Sequence, residues 1–340
     1  MKHPEADQIK QIVADAQKIV IIQADNPDGD SLGSALALEE VLGELGKQPH
    51  LYCAVDMPTY LRYMQGWDRV SRDLPRQFDA SIIVDASTMT LLERLADSEE
   101  KSWLAAKPCV ILDHHETVEN LVPFATVTVN DSSVSSTGEL IYHLAKQLDW
   151  PLTLTAQEFI MSSILGDTQG LTNQLASAGT YRTMSELVEA GVNRPKLEEL
   201  RREQGKMAPE IFRYKAELIR RTQFAADGAV AYVSVPQAEI NQYSPLYNPA
   251  PLVQADMLQT AGVQIAIVFK TYADGKVTAA IRSGLAAPVA GKLAEHFGGG
   301  GHANASGFKV TDGRSFDTIK ADCLETAEKL LEEKDSPSGD

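Results

Sequence analysis

The sequence has little cysteine and no long apolar run. Its three cysteines, Cys53, Cys109 and Cys323, lie far apart and form no CxxC pair, which argues against a disulfide framework and against a thiolate metal site. No stretch approaches the roughly 18 consecutive apolar residues of a membrane span, and the polar, helix-like N-terminus lacks the pattern of a secretion signal. We therefore expect a protein of the reducing cytoplasm.

Positive charge is also in deficit. The 340 residues include 31 Lys and Arg against 47 Asp and Glu, a formal net charge of −16. Such a chain repels polyanions at long range, so a sequence-independent grip on long duplex nucleic acid is disfavoured, while short or small anionic substrates stay open. The chain also lacks a glycine-rich loop ending in GK[ST], so a nucleotide-triphosphate motor is unsupported.

The first half of the chain alternates short apolar runs with helical patterns. This alternation predicts an α/β fold whose N-terminal domain has a parallel sheet with flanking helices. The predicted strands span residues 18–23, 49–55, 80–84, 109–112 and 125–129. The predicted helices span residues 32–45, 136–148, 155–167 and 178–190.

A charged helical stretch separates this half from a second alternating set. We expect a catalytic domain over residues 1–193, a helical linker over 194–224, a smaller α/β domain with a mixed sheet over 225–333 and a disordered tail over 334–340. Strands of the second domain are predicted at 229–235, 263–270, 276–282 and 305–310, with a hairpin turn at Asp274-Gly275 and a final helix at 316–331.

Acidic residues follow the first predicted strand in the segment NPDGD. Asp28 and Asp30 are separated by one glycine, and a tight turn there can direct both carboxylates toward one divalent cation. In an open parallel sheet, the C-terminal ends of the strands are where ligands bind. Taken alone, however, this segment is explained at least as well by a helix N-cap with turn residues.

Three further groups strengthen the metal reading. Asp85 ends the predicted strand ASIIVD, and Asp113-His114-His115 ends CVILDHH. Asp167 lies in a helix with little polar face, where a carboxylate is costly unless it is paired or bound to metal. Mixed carboxylate and imidazole ligands suit Mn²⁺ or a similar cation. Each residue alone also fits a cap or a helix-terminal polar group.

In the second half, Gly298, Gly299, Gly300 and Gly301 precede His302 between a helix and a strand. Backbone N–H groups free of side chains can approach an anion closely, so this run predicts a phosphate or nucleotide cradle, with a flexible linker as the alternative. Arg282 alternates with apolar residues on a predicted strand and offers a planar fork for a phosphate. A solvated strand arginine explains it equally well.

Together, NPDGD, a strand-end Asp, the literal DHH, GDT and GGGGHANASG resemble the DHH phosphoesterases with a DHH-associated C-terminal domain. Length and layout are most similar to the nanoRNase and pAp-phosphatase branch. The resemblance implies hydrolysis of very short oligoribonucleotides, or of 3′-phosphoadenosine 5′-phosphate (pAp), to mononucleotides by a water that two cations activate. Linear and cyclic dinucleotides both remain possible substrates. A homodimer is a possible oligomeric state.

The resemblance also implies roles for individual residues. Asp85 would bridge two Mn²⁺ ions, with Asp28 on the first and Asp30, His114 and Asp167 on the second; Mg²⁺ and Co²⁺ are alternatives. His115 would face the scissile phosphate, and Asp113 would orient a histidine. Arg282, the four glycines and His302 would hold the rest of the substrate.

The chain departs from the family pattern at Ala24. Family members usually have a histidine two residues before the Asn of NPDGD, and alanine has no donor atom. We expect a weak first metal site at Asp28 unless Gln23, Asp25 or water compensates. The departure leaves two other functions open: a nucleotide-binding regulator with reduced turnover, and a single-strand-specific exonuclease.

Overall fold

The computed structural model describes residues 2–115, 121–243 and 248–335, with the side chains of His302 and Asp335 left undescribed. The chain divides into two compact units, residues 1–206 and 207–340. No helix of the described segments is long and apolar enough to cross a bilayer.

The first unit is built on a five-stranded sheet in which every pairing is parallel. Its order is β2-β1-β3-β4-β5, from the strands Lys18–Ile22 (β1), Gln48–Tyr52 (β2), Ala80–Val84 (β3), Cys109–Asp113 (β4) and Val127–Asn130 (β5). β3 and β4 are buried along their whole length. Ile19 and Ile21 face one apolar cluster, whereas Val20 and Ile22 face another. Apolar side chains on both faces are typical of a parallel sheet covered on both sides.

Eight helices of the described residues belong to this unit. They are Ala6–Asp15 (α1), Gly29–Glu44 (α2), Glu93–Ala96 (α3), Glu100–Ala105 (α4), Thr137–Leu148 (α5), Leu154–Asp167 (α6), Ala178–Glu189 (α7) and Arg194–Gln204 (α8). α2 and α6 pack closely: a Cβ on Gly33 would lie 2.9 Å from the carbonyl oxygen of Phe159, so only glycine permits the approach. This packing brings the N-terminus of α2 beside the C-terminus of α6.

The second unit contains a six-stranded mixed sheet of order β10-β11-β9-β8-β7-β6. Its strands are Gln223–Ala225 (β6), Val230–Pro236 (β7), Ile265–Thr271 (β8), Val277–Ser283 (β9), Gly300–His302 (β10) and Ala305–Val310 (β11). Only the β7–β8 pair is parallel. The helices are Pro209–Arg221 (α9), Gln237–Tyr243 (α10), Pro249–Leu258 (α11), Ala290–His296 (α12) and Phe316–Asp335 (α13).

The predicted fold class is confirmed in both units: a parallel sheet with flanking helices and a smaller α/β unit with a mixed sheet. The expected hairpin joins β8 to β9, with Gly275 at a φ of +83°. The division between the units falls within the predicted linker, whose helices α8 and α9 belong to different units. The predicted tail over 334–340 begins too early, because α13 continues to Asp335. Its remaining residues, 336–340, lie outside the described part of the chain.

Another local prediction was wrong. We expected residues 298–301 to lie between a helix and a strand without belonging to either, but Gly300 and Gly301 belong to β10, which pairs antiparallel with β11. A Cβ on Gly299 would lie 2.3 Å from the carbonyl oxygen of Gly307, and one on Gly301 would lie 2.6 Å from that of Ala305. Close packing against β11 therefore requires glycine at two of the four positions, whatever else the segment binds.

Candidate metal centre

The predicted acidic residues converge at the C-terminal edge of the parallel sheet. Asp113 is the last residue of β4, Asp85 directly follows β3, and the NPDGD turn leads from β1 into α2. Because parallel strands end at the same edge of a sheet, their terminal side chains meet there. Asp167, the last residue of α6, joins them through the packing of α6 on α2.

Asp30 is fully buried and is held by four hydrogen bonds. Its Oδ1 accepts from the hydroxyls of Ser34 (2.8 Å) and Ser163 (2.6 Å) and from the backbone N–H of Gly138 (3.2 Å). Its Oδ2 accepts from the N–H of Thr137 at 2.7 Å. Two of these donors are the first N–H groups of α5, where the helix dipole favours a negative charge. The carboxylate is therefore fixed in place without any ion.

His114 lies among three carboxylates. Its Nε2 is 2.9 Å from Oδ2 of Asp167, 3.4 Å from Oδ2 of Asp30 and 3.7 Å from Oδ1 of Asp85. These contacts are ion pairs, and by hydrogen-bond geometry this buried nitrogen has no partner within the described residues. A buried polar atom without a partner is costly, and here it faces the space that the carboxylates share.

His115 is oriented by Asp113. Its Nδ1 lies 2.7 Å from Oδ1 of Asp113, while half of its side chain is exposed. Ser87 donates to the other carboxylate oxygen of Asp113. Burial alone would raise the pKa of Asp113, but hydrogen bonds from His115 and Ser87 outweigh it and lower the pKa. The same contact raises the pKa of His115. Asp113 thus holds the imidazole of His115 through Nδ1, and no described residue hydrogen-bonds to its Nε2.

The electrostatics of the cluster are unfavourable in the absence of a cation. Burial, together with the charges of Asp30 and Asp28, holds the pKa of Asp85 well above its usual range. Burial likewise raises the pKa of Asp167, to about 6. For His114, burial acts to lower the pKa, but Asp167 and Asp30 raise it to about 9. Each shift reflects an excess of buried negative charge.

A divalent cation fits this environment. Ligand atoms of Asp30, His114 and Asp167 lie within 4.8 Å of one another, and so do those of Asp85, His114 and His115. Carboxylate oxygens with an imidazole nitrogen suit Mn²⁺ and related ions. An ion there would give the nitrogen of His114 a partner and offset the repulsion at Asp85.

Asp28 stands apart from both groups. Its side chain caps α2, accepting from the N–H groups of Asp30 and Ser31 at 3.0 Å each, and its residue surface is exposed. The N-cap reading of this segment is therefore correct for Asp28, although its second oxygen is left for a ligand.

Around Ala24, Asp25 is already used, because its carboxylate accepts from the N–H of Arg94 in α3 at 2.8 Å. Ala24 itself is buried among apolar side chains. Gln23 is buried, and neither atom of its amide has a hydrogen-bond partner in the described segments.

The second unit carries the remaining predicted residues. Arg282 is exposed on β9, and its alternation with buried Val277, Ala279 and Ile281 follows the predicted pattern. Its guanidinium makes no hydrogen bond or ion pair within the described residues. The side chain of His302 lies outside the described set, and Gly300 has open space where a Cβ would lie. Their binding roles stay predictions.

Comparison with known proteins identifies the family. The family model "DHH family, N-terminal domain" matches residues 18–166, and the model "DHHA1 domain" matches residues 247–333. The chain belongs to the DHH phosphoesterase superfamily. Its first unit thus carries the DHH domain and its second unit the DHHA1 domain, and its chemistry is hydrolysis of phosphoester bonds.

Several relatives resemble the DHH chain over most of its length. The bifunctional oligoribonuclease and PAP phosphatase NrnA of Bacillus subtilis is 25% identical over 91% of this chain and 94% of its own. The protein of the same name from Thermus thermophilus is 26% identical over 83% and 81%. A crystal structure of an exopolyphosphatase-related protein from Bacteroides fragilis, 22% identical, covers 96% of this chain and 97% of its own with a TM-score of 0.78, which shows a shared fold.

The sequence reasoning missed the residues that support the DHH centre. Ser34, Ser163 and Thr137 contact Asp30 or Asp85 but sit in otherwise apolar helices or at a helix start, where serine and threonine carry no distinct signal. Glu139, by contrast, did have a recognisable signal in the sequence. Ser136 and Glu139 have the S-x-x-E spacing of a capping box, and Ser136 caps α5 by accepting from the N–H of Glu139.

Proposed function

We propose that this DHH phosphoesterase hydrolyses short oligoribonucleotides, such as the dinucleotide pApA, and pAp to mononucleotides in a reaction that requires Mn²⁺ or a similar cation. The observation that carries the proposal is the convergence of Asp30, Asp85, His114 and Asp167 in one buried, electrostatically unsatisfied cluster. The names of relatives that align over most of the chain support the substrate class.

The four residues would hold the cation. When bound, divalent cations supply Lewis acidity and neutralise charge on the phosphate. Asp30 contributes a carboxylate whose position is set before any ion arrives. Asp85 lies within 3.8 Å of both His114 and His115, so it connects the two groups of ligand atoms. This placement supports the bridging role that the family pattern implies.

His115 would contact the substrate phosphate. Asp113 occupies its Nδ1 and favours the protonated ring, which leaves Nε2 to donate to a phosphate oxygen or to the leaving group. Its half-exposed side chain allows that contact. A general acid placed in this way is expected to contribute about 10²–10⁴-fold to the rate.

Hydrolysis of end-labelled RNA tests the proposal. The substrates are oligomers of two to five nucleotides, a 24-nucleotide strand and pAp, each titrated with Mn²⁺, Mg²⁺ or Co²⁺ and with EDTA as the blank. We expect metal-dependent release of mononucleotides, fastest for the shortest oligomers. Absence of turnover with every substrate and metal would refute the proposal, and faster attack on the 24-mer would favour the single-strand exonuclease.

Ala24 supports a second candidate, a nucleotide-binding regulator with reduced turnover. The position usually held by a histidine ligand is a buried alanine. Nucleotide binding without product would support this candidate. The variant Ala24→His separates the two explanations, since a large gain of activity indicates a crippled site and no gain indicates a site adapted to the missing ligand. The cytoplasmic location and the homodimer stay predictions.

A further inference from the structure

A pocket of about 360 Å³ opens in the first unit at the metal centre. Asp28 and Asp167 contribute to its wall, together with Tyr60, Tyr63 and Arg201. Its volume is within the range of small-molecule sites, roughly 300–1,000 Å³. Neither the predicted metal ligands nor the proposed phosphate contact accounts for the two aromatic rings.

Tyr60 is held in place by its buried neighbour Leu61 and by a hydrogen bond from its own hydroxyl. Tyr60 lies in the 3₁₀ turn Thr59–Leu61, and the side chain of Leu61 is buried. The hydroxyl of Tyr60 donates to the carbonyl oxygen of Pro27, next to Asp28, at 3.3 Å. Tyr60 is nevertheless 57% exposed. The ring is thus tethered beside the metal centre while much of its surface stays open to a ligand.

The charges around the pocket favour a neutral, flat group over a chain of phosphates. Two of the lining side chains are carboxylates, Asp28 and Asp167. Among the described residues that line the pocket, the one cationic side chain is Arg201, and it already pairs with Glu198 at 3.0 Å. Where no bound cation offsets these carboxylates, a polyanion would therefore meet more repulsion than attraction, whereas aromatic faces stack on nucleobases of any sequence.

We propose that this pocket is a nucleobase subsite, in which Tyr60 stacks on the base of one of the two nucleotides that flank the scissile phosphate. The proposal rests on the proposed function and deepens it. The substrates are then nucleotides whose base is required for binding, with little preference for which base it is. Inorganic polyphosphate, which has no base, is disfavoured. Tyr63 supplies a second aromatic wall.

Steady-state kinetics with matched substrates test the subsite. The substrates are pApA, two analogues in which an abasic ribose replaces the 5′ or the 3′ nucleotide, and inorganic tripolyphosphate. Tyr60→Ala is expected to raise KM for pApA about 5- to 150-fold with little change in kcat. Tyr60→Phe, which keeps the ring, should stay near wild type. One abasic analogue should bind wild type weakly and be insensitive to Tyr60→Ala.

Tyr181→Ala is the matched control. Tyr181 is 53% exposed on α7, and its hydroxyl also donates to a backbone carbonyl, that of Leu171, at 3.2 Å. It lies outside the pocket and should leave every KM unchanged. Equal effects of Tyr60→Ala on pApA and both abasic analogues, or no effect on any of them, would overturn the subsite, and so would efficient hydrolysis of tripolyphosphate.

Binding without turnover separates failure of the subsite from failure of the proposed function. Calorimetric titration of pApA in EDTA gives a dissociation constant that needs no catalysis. If wild type fails to hydrolyse pApA, the proposed activity fails, and the subsite still stands or falls on this constant. We expect it to weaken in Tyr60→Ala but not in Tyr60→Phe or Tyr181→Ala, and an unchanged constant in Tyr60→Ala contradicts the subsite.

Discussion

At the scale of single residues, Asp85 combines an unusual backbone with an unfavourable charge. Its φ of +59° lies in the left-handed region, which Asp and Asn tolerate better than most other residues except glycine. Its carboxyl is buried among the carboxylates of Asp28, Asp30, Asp113 and Asp167. Strain and buried charge of this kind persist where function requires them. We attribute both to the role of Asp85 as a cation ligand.

Replacing Asp85 by Asn should stabilise the metal-free protein and abolish its stabilisation by Mn²⁺. The raised pKa means that ionised Asp85 is disfavoured in the folded state, so the variant should have a higher free energy of unfolding than wild type at pH 7. This gain should disappear below about pH 4, where unfolded Asp85 is protonated as well. Urea unfolding with EDTA or Mn²⁺ measures both effects.

Asp149→Asn is the control for that substitution. Asp149 is exposed and also left-handed, with a φ of +55°, but it caps α5 away from the cluster. Its variant should respond to Mn²⁺ as wild type does. An Asp85→Asn protein that is less stable than wild type without metal, or that is still stabilised by Mn²⁺, contradicts the role assigned to Asp85.

Cation binding should also release protons. The pKa of His114 is raised to about 9 and that of Asp167 to about 6, whereas a cation requires neutral imidazole and ionised carboxylate. Affinity for Mn²⁺ should therefore rise with pH between about 6 and 9. Calorimetry in two buffers of different ionisation enthalpy counts the protons. His114→Gln should flatten the dependence of Mn²⁺ affinity on pH. The same change at His50, in β2, should leave that dependence as in wild type. A pH-independent Mn²⁺ affinity in wild type would contradict this prediction.

At the scale of secondary structure, the start of α5 supports the metal centre through Glu139. This buried carboxylate accepts from the N–H of Ser135 (2.8 Å) and from the hydroxyls of Ser135, Thr180 and Thr183 at 2.7–3.1 Å. It joins the segment before α5 to α7. Since the first N–H groups of α5 hold Asp30, we expect Glu139 to act on the proposed cation site by positioning that helix.

Glu139→Gln should destabilise the fold by about 1–3 kcal/mol, because charge-assisted hydrogen bonds become neutral ones. Burial alone would raise the pKa of Glu139, but the neighbouring His143, Ser135 and Thr183 lower it from 4.5 to about 2. This stabilisation is complete above pH 4.5 and is lost as the pH falls toward 2, so the difference between variant and wild type should narrow over that range.

Urea unfolding between pH 2 and 7 measures that difference, and calorimetry with Mn²⁺ measures the effect on the site. We expect weaker Mn²⁺ binding in Glu139→Gln, in a protein that is still folded. Glu186→Gln on α7 is a control with an exposed carboxylate that contacts Tyr142 and Lys146 instead. A pH-independent difference, or unchanged Mn²⁺ affinity, would remove Glu139 from the supporting network.

The sequence predicts the site residues that lie at strand ends, but not those whose contacts depend on how helices pack. Strand-end residues were predictable, because an apolar run that ends in Asp85 or Asp113 places those carboxyls at one sheet edge by geometry alone. Contacts such as Ser163 to Asp30 were not, because they depend on how α6 packs against α2. The assignment of Asp28 was ambiguous for a physical reason: the same carboxylate serves as helix cap and as a candidate ligand.

At the scale of the whole molecule, the alternation of short apolar runs with helical patterns was enough to predict two α/β units. The apolar runs form strands whose side chains are buried on both faces of a sheet, and the helical patterns form the helices that cover it. The helices and strands that the sequence pattern did not predict lack a periodic arrangement of apolar residues. β6 has only three residues, and α11 is apolar around most of its surface and contains Pro249 and Pro251. β10 consists of glycines and one histidine, a composition that indicates a loop until its pairing with β11 is known.

The net charge of −16 gives the cation centre a further role at this scale. An acidic protein attracts an anionic substrate only where local positive charge offsets its field. Bound cations beside Asp30, Asp85 and Asp167 would supply that charge at the catalytic centre, which agrees with small substrates rather than long strands.

Anomalous diffraction from crystals of the full chain soaked with Mn²⁺ and a hydrolysis-resistant phosphorothioate dinucleotide tests the central claim most directly. We predict a strong manganese peak that is liganded by Asp30, Asp85, His114 and Asp167, with the dinucleotide phosphate beside His115. We also predict a second, weaker peak between Asp28 and Asp85, since Ala24 offers no ligand. A bound dinucleotide with no manganese at the four residues would contradict the account.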